Sequence, residues 1–292
     1  MKVLYYARVC RSDLLFAVCF LAREVTRWTR ACDKRMHRLI SYIQGTKTLS
    51  LYSTVGDPLY KCRLLLHTDA DFAGSNADLS KSTSGLLLAM AGPNTFAPLL
   101  DVSKAQSATS HSSTESEVIS LEYALRTEGM PALDFWDAVA PLYSTTSRSS
   151  RGTLATQKQG KGSSSKVDDR EVGGIQHNFR LTVCEDNEAT IKIVLKRRSP
   201  AMRHISRTHR VNLDWVYEAF QQRRISLRYV RTTSQVADVL TKHFVKREIW
   251  DALLTMCFSR ESVDWSFSGG PETHSTTQPK STNRNIPCSR GA

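Results

Sequence analysis

The sequence predicts an α/β fold, and three observations carry that expectation. Runs of period-two, strand-like residues cluster between positions 63 and 102 and return at 181–185 and 225–229. Apolar residues at helical spacing lie before, between and after those runs. The core order therefore reads β-β-β-α, an insert, then β-α-α-β-α, which describes a sheet flanked by helices.

Residues 13–45 read as two helices. Leu15, Val18, Cys19, Ala22 and Val25 recur at helical spacing, as do Met36, Leu39, Ile40 and Ile43 before Gly45 ends the pattern. An isolated pair of helices cannot bury both stripes, so this segment needs a partner. Its start, Val3-Leu4-Tyr5-Tyr6, reads like the middle of an element.

From about Cys62 the pattern changes. Arg63–Thr68, Gly85–Ala91 and Thr95–Val102 read as strands separated by the turn spellings Gly74-Ser75-Asn76 and Gly92-Pro93-Asn94. A helix follows over Thr114–Glu128, with Val118, Leu121 and Leu125 on one face and a break allowed at Pro131. Residues 144–176 are dominated by Ser, Thr, Gly, Lys and Arg; they offer too few apolar groups to offset ordering entropy, so a disordered insert is expected. Order resumes with a strand at 181–185, a helix capped by Asn187, a basic stretch, a helix around Asn212–Gln221 and a strand at 225–229. A last helix is expected near Gln235, and the tail from 266 to 292 should be disordered. The division is a helical segment at 1–58, a folded domain at 59–143 and 177–250, the insert and the tail.

Forty per cent of the 292 residues are hydrophobic, enough for a sizeable core, and the net charge of +12 favours an anionic partner. The seven cysteines form no CxxC pair, which argues against a zinc site or a disulfide framework and for a reducing compartment. Arg8, Arg11 and Asp13 interrupt any signal-peptide pattern, and no run approaches the roughly 20 apolar residues that a membrane-spanning helix needs. A soluble intracellular chain with no membrane partner is expected.

Four carboxylates sit where elements end or begin. Asp69 follows Leu64-Leu65-Leu66-His67-Thr68, Glu117 lies in the opening turns of a helix, Asp186 follows Leu181-Thr182-Val183-Cys184-Glu185, and Asp238 lies in Val236-Ala237-Asp238-Val239. If the first and fourth strands are parallel neighbours, Asp69 and Asp186 share one sheet edge, and helices packed on the sheet can add Glu117 and Asp238. Hard oxygen ligands of this kind suit Mg²⁺ or Mn²⁺. Two such ions about 3.5–4 Å apart support phosphodiester hydrolysis. A blander reading stands beside this one. Thr114-Glu115-Ser116-Glu117 also spells a capping box, and Asp186-Asn187 spells a turn with a cap.

The string His67-Thr68-Asp69-Ala70-Asp71-Phe72-Ala73-Gly74, with Lys81-Ser82-Thr83-Ser84-Gly85, resembles the start of the ribonuclease H domain of copia-type (Ty1/copia) retrotransposon Pol polyproteins. Ser112-Ser113-Thr114-Glu115-Ser116-Glu117 resembles that family's second signature, Glu185-Asp186-Asn187-Glu188-Ala189 its third, and Ala237-Asp238-Val239-Leu240-Thr241-Lys242 its last. The helices at 13–45 are similar to the segment joining reverse transcriptase to that domain, so the resemblance covers residues 3–136 and 177–245. Phe72 stands where the family usually has Trp, and Val102-Ser103-Lys104-Ala105-Gln106 keeps part of a Trp-Ser-x-Lys-x-Gln pattern.

The resemblance implies a ribonuclease H-like fold with a mixed five-stranded sheet. It also implies an endonuclease that cuts the RNA strand of RNA·DNA hybrids with two Mg²⁺ ions (or Mn²⁺) held by Asp69, Glu117, Asp186 and Asp238. It selects Asp69 over Asp71 and Glu117 over Glu115. No Tyr-x-Asp-Asp polymerase motif and no integrase or protease signature occurs. The chain thus reads as a C-terminal fragment of Pol whose partner is the reverse transcriptase, acting in a cytoplasmic virus-like particle or the nucleus.

Lys192, Lys196, Arg197, Arg198, Arg203, Arg207 and Arg210, with His204 and His209 among them, form a basic stretch suited to phosphate contact or to a solvated face. Lys196, Arg197, Arg198, Arg203, His204 and Arg207 are the expected nucleic-acid contacts, and Arg203-His204-Ile205 matches a family Lys-His-Ile string. The hydroxyls of Ser110–Ser113 suit 2′-hydroxyl recognition or helix capping. The alternatives are a non-catalytic nucleic-acid-binding remnant and a decayed retroelement fragment.

Overall fold

The computed structural model describes residues 2–72, 81–146 and 179–258. The turn expected at Gly74-Ser75-Asn76, most of the expected insert and the expected tail lie outside these residues. Helices α1 (Lys2–Cys10), α2 (Leu15–Arg23) and α3 (Arg30–Gly45) come first. Strands β1 (Thr54–Val55), β2 (Arg63–Asp71), β3 (Thr83–Gly92) and β4 (Thr95–Ala105) follow. Then come α4 (Ser113–Ala124), α5 (Met130–Thr146), β5 (Leu181–Glu185) and α6 (Glu188–Leu195). The described chain ends with α7 (Ile205–Thr208), α8 (Leu213–Gln221), β6 (Ile225–Tyr229) and α9 (Arg247–Phe258).

The strands form one sheet in the order β1-β4-β3-β2-β5-β6. β2, β3 and β4 pair antiparallel, whereas β5 lies parallel to both β2 and β6. An antiparallel meander extended by two parallel strands, with helices on both faces, is the ribonuclease H-like fold, and a two-residue edge strand at Thr54–Val55 widens the expected five strands to six.

Alternation along the strands builds two cores. Leu64, Leu66, Leu86, Leu88, Leu181 and Val183 face one side, with Leu121, Leu125 and Leu133 from the helices. Leu65, Leu87 and Ala89 face the other, where they meet Leu14, Leu15, Val18, Leu39, Val239 and Leu253. The N-terminal helical stripes therefore find their partner within this chain, on the second face of the sheet. A buried network fastens that segment: Arg11 donates to Asp13 at 2.7 and 2.8 Å and to the Thr46 carbonyl at 3.1 Å, and Tyr42 donates to Asp13 at 2.9 Å.

Two expectations about helices need correction. The helix from Ser113 does not break at Pro131; it widens into a π turn at Leu125–Gly129 and continues as α5. Pro131 follows this π turn, where the widened hydrogen-bond ladder accommodates a residue without an N–H. Gly129 lets the wide turn press on the sheet, since a Cβ there would lie 2.9 Å from Leu66 and 3.1 Å from Leu181. Nor does a long helix begin at Gln235. Val236–Leu240 is a short 3₁₀ turn, and α9 starts only at Arg247. Among the described residues no helix is long and apolar enough to cross a membrane.

Candidate active site

The central strand β2 carries Asp69, paired with Gly85 of β3 on one side. On its other side β5 runs parallel, with His67 opposite Cys184, so the chain leaves β5 through Glu185 and Asp186 at the edge that holds Asp69. Helix α4 crosses this edge. Ser120 Oγ donates to the Asp69 carbonyl at 2.7 Å, which places Glu117, one turn earlier, over the Asp69 side chain. Carboxylate oxygens of Asp69, Glu117 and Asp186 all lie within 4.8 Å of one another.

Local capping leaves these groups free. Ser112 caps α4 by accepting from the Glu115 N–H at 3.1 Å, and Glu115 accepts from the His111 N–H at 3.0 Å. The box therefore consumes Glu115, not Glu117. Asn187, not Asp186, caps α6, accepting from Ala189 and Thr190 at 2.9 and 3.2 Å. Ser110 donates to Gln106 at 2.8 Å and is buried, whereas the exposed Ser112 is spent on the cap. Gln106 in turn donates to Ser84 and to the Ser116 carbonyl, tying β3 to the start of α4.

Asp238 stands apart from the three converging acids and reaches them through Lys242. Lys242 Nζ donates to Asp238 Oδ1 at 2.7 Å and to Asp69 Oδ1 at 3.2 Å, and Thr241 donates to Asp69 Oδ2. Asp71 is half-buried and Glu115 belongs to a separate cluster.

Sequence reading assigned no role to Lys242 or Glu185, although both lie inside the signatures. Glu185 is fully buried, accepting from Thr68 Oγ1 at 2.8 Å and from the Asn187 N–H at 3.3 Å. The available signal was strand alternation, which puts Glu185 on the same face as Leu181 and Val183.

Asp69, Glu117 and Asp186 thus converge, Glu185 and Asp238 lie near them, and Lys242 pairs with Asp69 and Asp238 alone; burial makes the carboxylate charges costly. Burial, then repulsion from Glu185, Asp69 and Asp186, pushes the Glu117 carboxyl up to about 11. Burial and the Asp69 charge push Asp238 up to about 7 against the pull of Lys242. Burial likewise raises Asp69 and, further, Glu185. Burial works against the Lys242 ammonium, but Asp69 and Asp238 outweigh it and raise its pKa. Glu117 Oε2 is buried without a hydrogen-bond partner.

The basic stretch is docked on the same helix. Val118 and Ile119, which follow Glu117, pack with Met202, Ile205 and Val211. Arg197 pairs with Asp214 at 2.7 Å and Glu218 at 3.6 Å, and Arg198 lies 3.8 Å from Asp214. His204 meets Glu115 at 3.1 Å. Lys196, Arg203, Arg207 and Arg210 project into solvent.

No protein-family profile matches the chain. Among solved structures it is similar to the N-terminal RNase H domain of Rv2228c from Mycobacterium tuberculosis, solved as a fusion with maltose-binding protein. The match has 14% identity and a TM-score of 0.32, covering 65% of this chain and 95% of that one. It is also similar to the prototype foamy virus protease-reverse transcriptase, at 11% identity and a TM-score of 0.30, over 78% of this chain and 27% of that one.

Proposed function

We propose that this protein is a divalent-metal-dependent endonuclease that hydrolyses the RNA strand of RNA·DNA hybrids, acting with the reverse transcriptase of a copia-type Pol polyprotein. The observation that carries this reading is the convergence of Asp69, Glu117 and Asp186 at one edge of a ribonuclease H-like sheet, with all three drawn from ordered sequence signatures.

The residues fit Mg²⁺ or Mn²⁺. The donors are hard oxygens, Glu117 Oε2 lacks a hydrogen-bond partner, and Lys242 pairs with Asp69 and Asp238 but not with Glu117 or Asp186. When bound by Asp69, Glu117 and Asp186, with Asp238 alongside, two such ions supply an activated water and charge stabilisation at the leaving oxygen. The chain does the positioning. Thr241 and Lys242 fix both Asp69 oxygens, Ser120 ties α4 to the strand, and Thr68 holds Glu185. Asp186 is only partly buried and marks the open side of the site. Lys196, Arg203, Arg207 and Arg210 supply sequence-independent attraction for phosphates.

A second reading rests on Lys242, whose ammonium already neutralises Asp69 and Asp238: a nucleic-acid-binding remnant without hydrolysis. Incubation of a labelled hybrid with the full chain and Mg²⁺ separates the two. Cleavage by wild type and none by Asp69→Asn supports the endonuclease; salt-dependent binding by both folded proteins without cleavage selects the remnant.

A further inference from the structure

We infer a second metal site, for Zn²⁺, built from His111, Glu115 and His204, with the buried His209 beside it, and separate from the acidic site. His111, Glu115 and His204 each offer a ligand atom within 4.8 Å of the others. Glu115 Oε1 is the shared centre: His204 Nε2 and His209 Nε2 each lie 3.1 Å from it. The rings of His111 and His204 are 5.0 Å apart and nearly perpendicular, so they converge without stacking face to face.

His209 carries the inference beyond a hydrogen-bonded cluster. Its side chain is 1% exposed, and its Nε2 is close to Glu115, yet neither ring nitrogen makes a hydrogen bond. A buried imidazole that touches a carboxylate without an aligned hydrogen bond is costly, and a small turn of the ring toward an ion held by the other three residues would satisfy Nε2. Donors on a tetrahedral Zn²⁺ with legs of about 2.0–2.1 Å stand roughly 3.3 Å apart, close to the 3.1 Å between Glu115 and His204, and His111 lies within 4.8 Å of both. Imidazole donors favour Zn²⁺ over Mg²⁺, which takes oxygen ligands. Glu115 is already oriented, because its other oxygen accepts from the His111 N–H at 3.0 Å. The half-exposed His204 and exposed His111 leave an entry path.

The ligands come from two segments, the start of α4 and the stretch around α7. A Zn²⁺ ion bridging them would clip Arg203, Arg207 and Arg210 to the helix that carries Glu117. The inference does not depend on hydrolysis by the acidic site.

The test uses Co²⁺ as a coloured substitute for Zn²⁺, titrated into metal-free full-length protein in excess Mg²⁺. An Asp69→Asn, Asp186→Asn background keeps the acidic site from contributing. The expected result is one tight Co²⁺ per chain with visible absorption bands, displaced by Zn²⁺, and at least about tenfold weaker binding in His204→Ala and in His111→Ala. Zn²⁺ should also raise the melting temperature of the parent but not of His204→Ala, whose half-exposed side chain is removable without emptying a core. No Co²⁺ band, or a band and affinity unchanged in both histidine variants, overturns the inference.

Discussion

Lys242 reaches back from the segment after the 3₁₀ turn to Asp69 on the central strand, its Nζ 3.2 Å from Oδ1, while also holding Asp238 at 2.7 Å. One ammonium thus joins a strand acid to a turn acid that lies 169 residues further along the chain. It is the only side-chain cation the described residues place in contact with Asp69.

Replacing that cation leaves two buried carboxylates facing each other. Lys242→Met should lose about 1–3 kcal/mol, below the cost of breaking a fully buried pair because the lysine side chain is one-third exposed. Mg²⁺ should then raise the melting temperature of Lys242→Met more than that of wild type. Equal shifts in thermal unfolding would show that Lys242 and the cation do not share the same charge.

Gly85 sets the distance between β3 and the Asp238 turn. A Cβ there would lie 2.5 Å from Thr241 Cγ2 and 3.1 Å from the Ala237 carbonyl oxygen. Gly85→Ala should cost about 1–3 kcal/mol through overpacking and weaken Mg²⁺ binding by moving Thr241 off Asp69. Denaturant unfolding with a metal titration checks both effects.

Phosphate contact should divide the arginines by their present partners. Arg203→Gln and Arg207→Gln should each flatten the salt dependence of hybrid binding by about 0.9 in log–log slope. Arg197→Gln should leave the slope unchanged, because Arg197 is committed to Asp214 and Glu218. Binding isotherms across a salt series decide the point.

Asp101 makes stability depend on pH. Burial raises its carboxyl to about 6 from 3.8, although Ser12 donates to it. The folded state therefore binds the proton more tightly than the unfolded chain. Its stabilising contribution is complete below pH 3.8, falls as pH rises toward 6, and stays lost above that. Asp101→Asn should match wild type near pH 3.5 and exceed it by about 2–3 kcal/mol at pH 7 in denaturant melts. A variant less stable than wild type at pH 7 would reject this account.

Much of the site was legible because short patterns encode it. Alternation at 181–185 and 225–229 fixed both parallel strands, and it placed Asp186 beside Asp69 once β5 lay next to β2. Asn187 announced its helix as a cap, and Asn212, at the start of the expected 212–221 helix, caps it by accepting from the Trp215 N–H. Other features depend on partners distant in sequence. Val236, Val239 and Leu240 have helical spacing whether the element is one 3₁₀ turn or a long helix, so spacing alone puts the last helix earlier than Arg247, where it starts. The density of arginines could not show that Arg197 would find Asp214, nor that His204 and His209 would both close on Glu115. The role of Lys242 is not readable from sequence, since an ion pair across 173 residues leaves no periodic trace.

The central claim is that Asp69, Glu117 and Asp186 form a divalent-metal site, and Mn²⁺ binding followed by electron paramagnetic resonance tests it most directly. Wild type should bind Mn²⁺ competitively with Mg²⁺. Glu117→Gln, which keeps the shape of the side chain but cannot lose a proton to become a carboxylate ligand, should weaken that binding by at least about tenfold. Mn²⁺ affinity that is the same in folded Glu117→Gln and wild type would contradict the account.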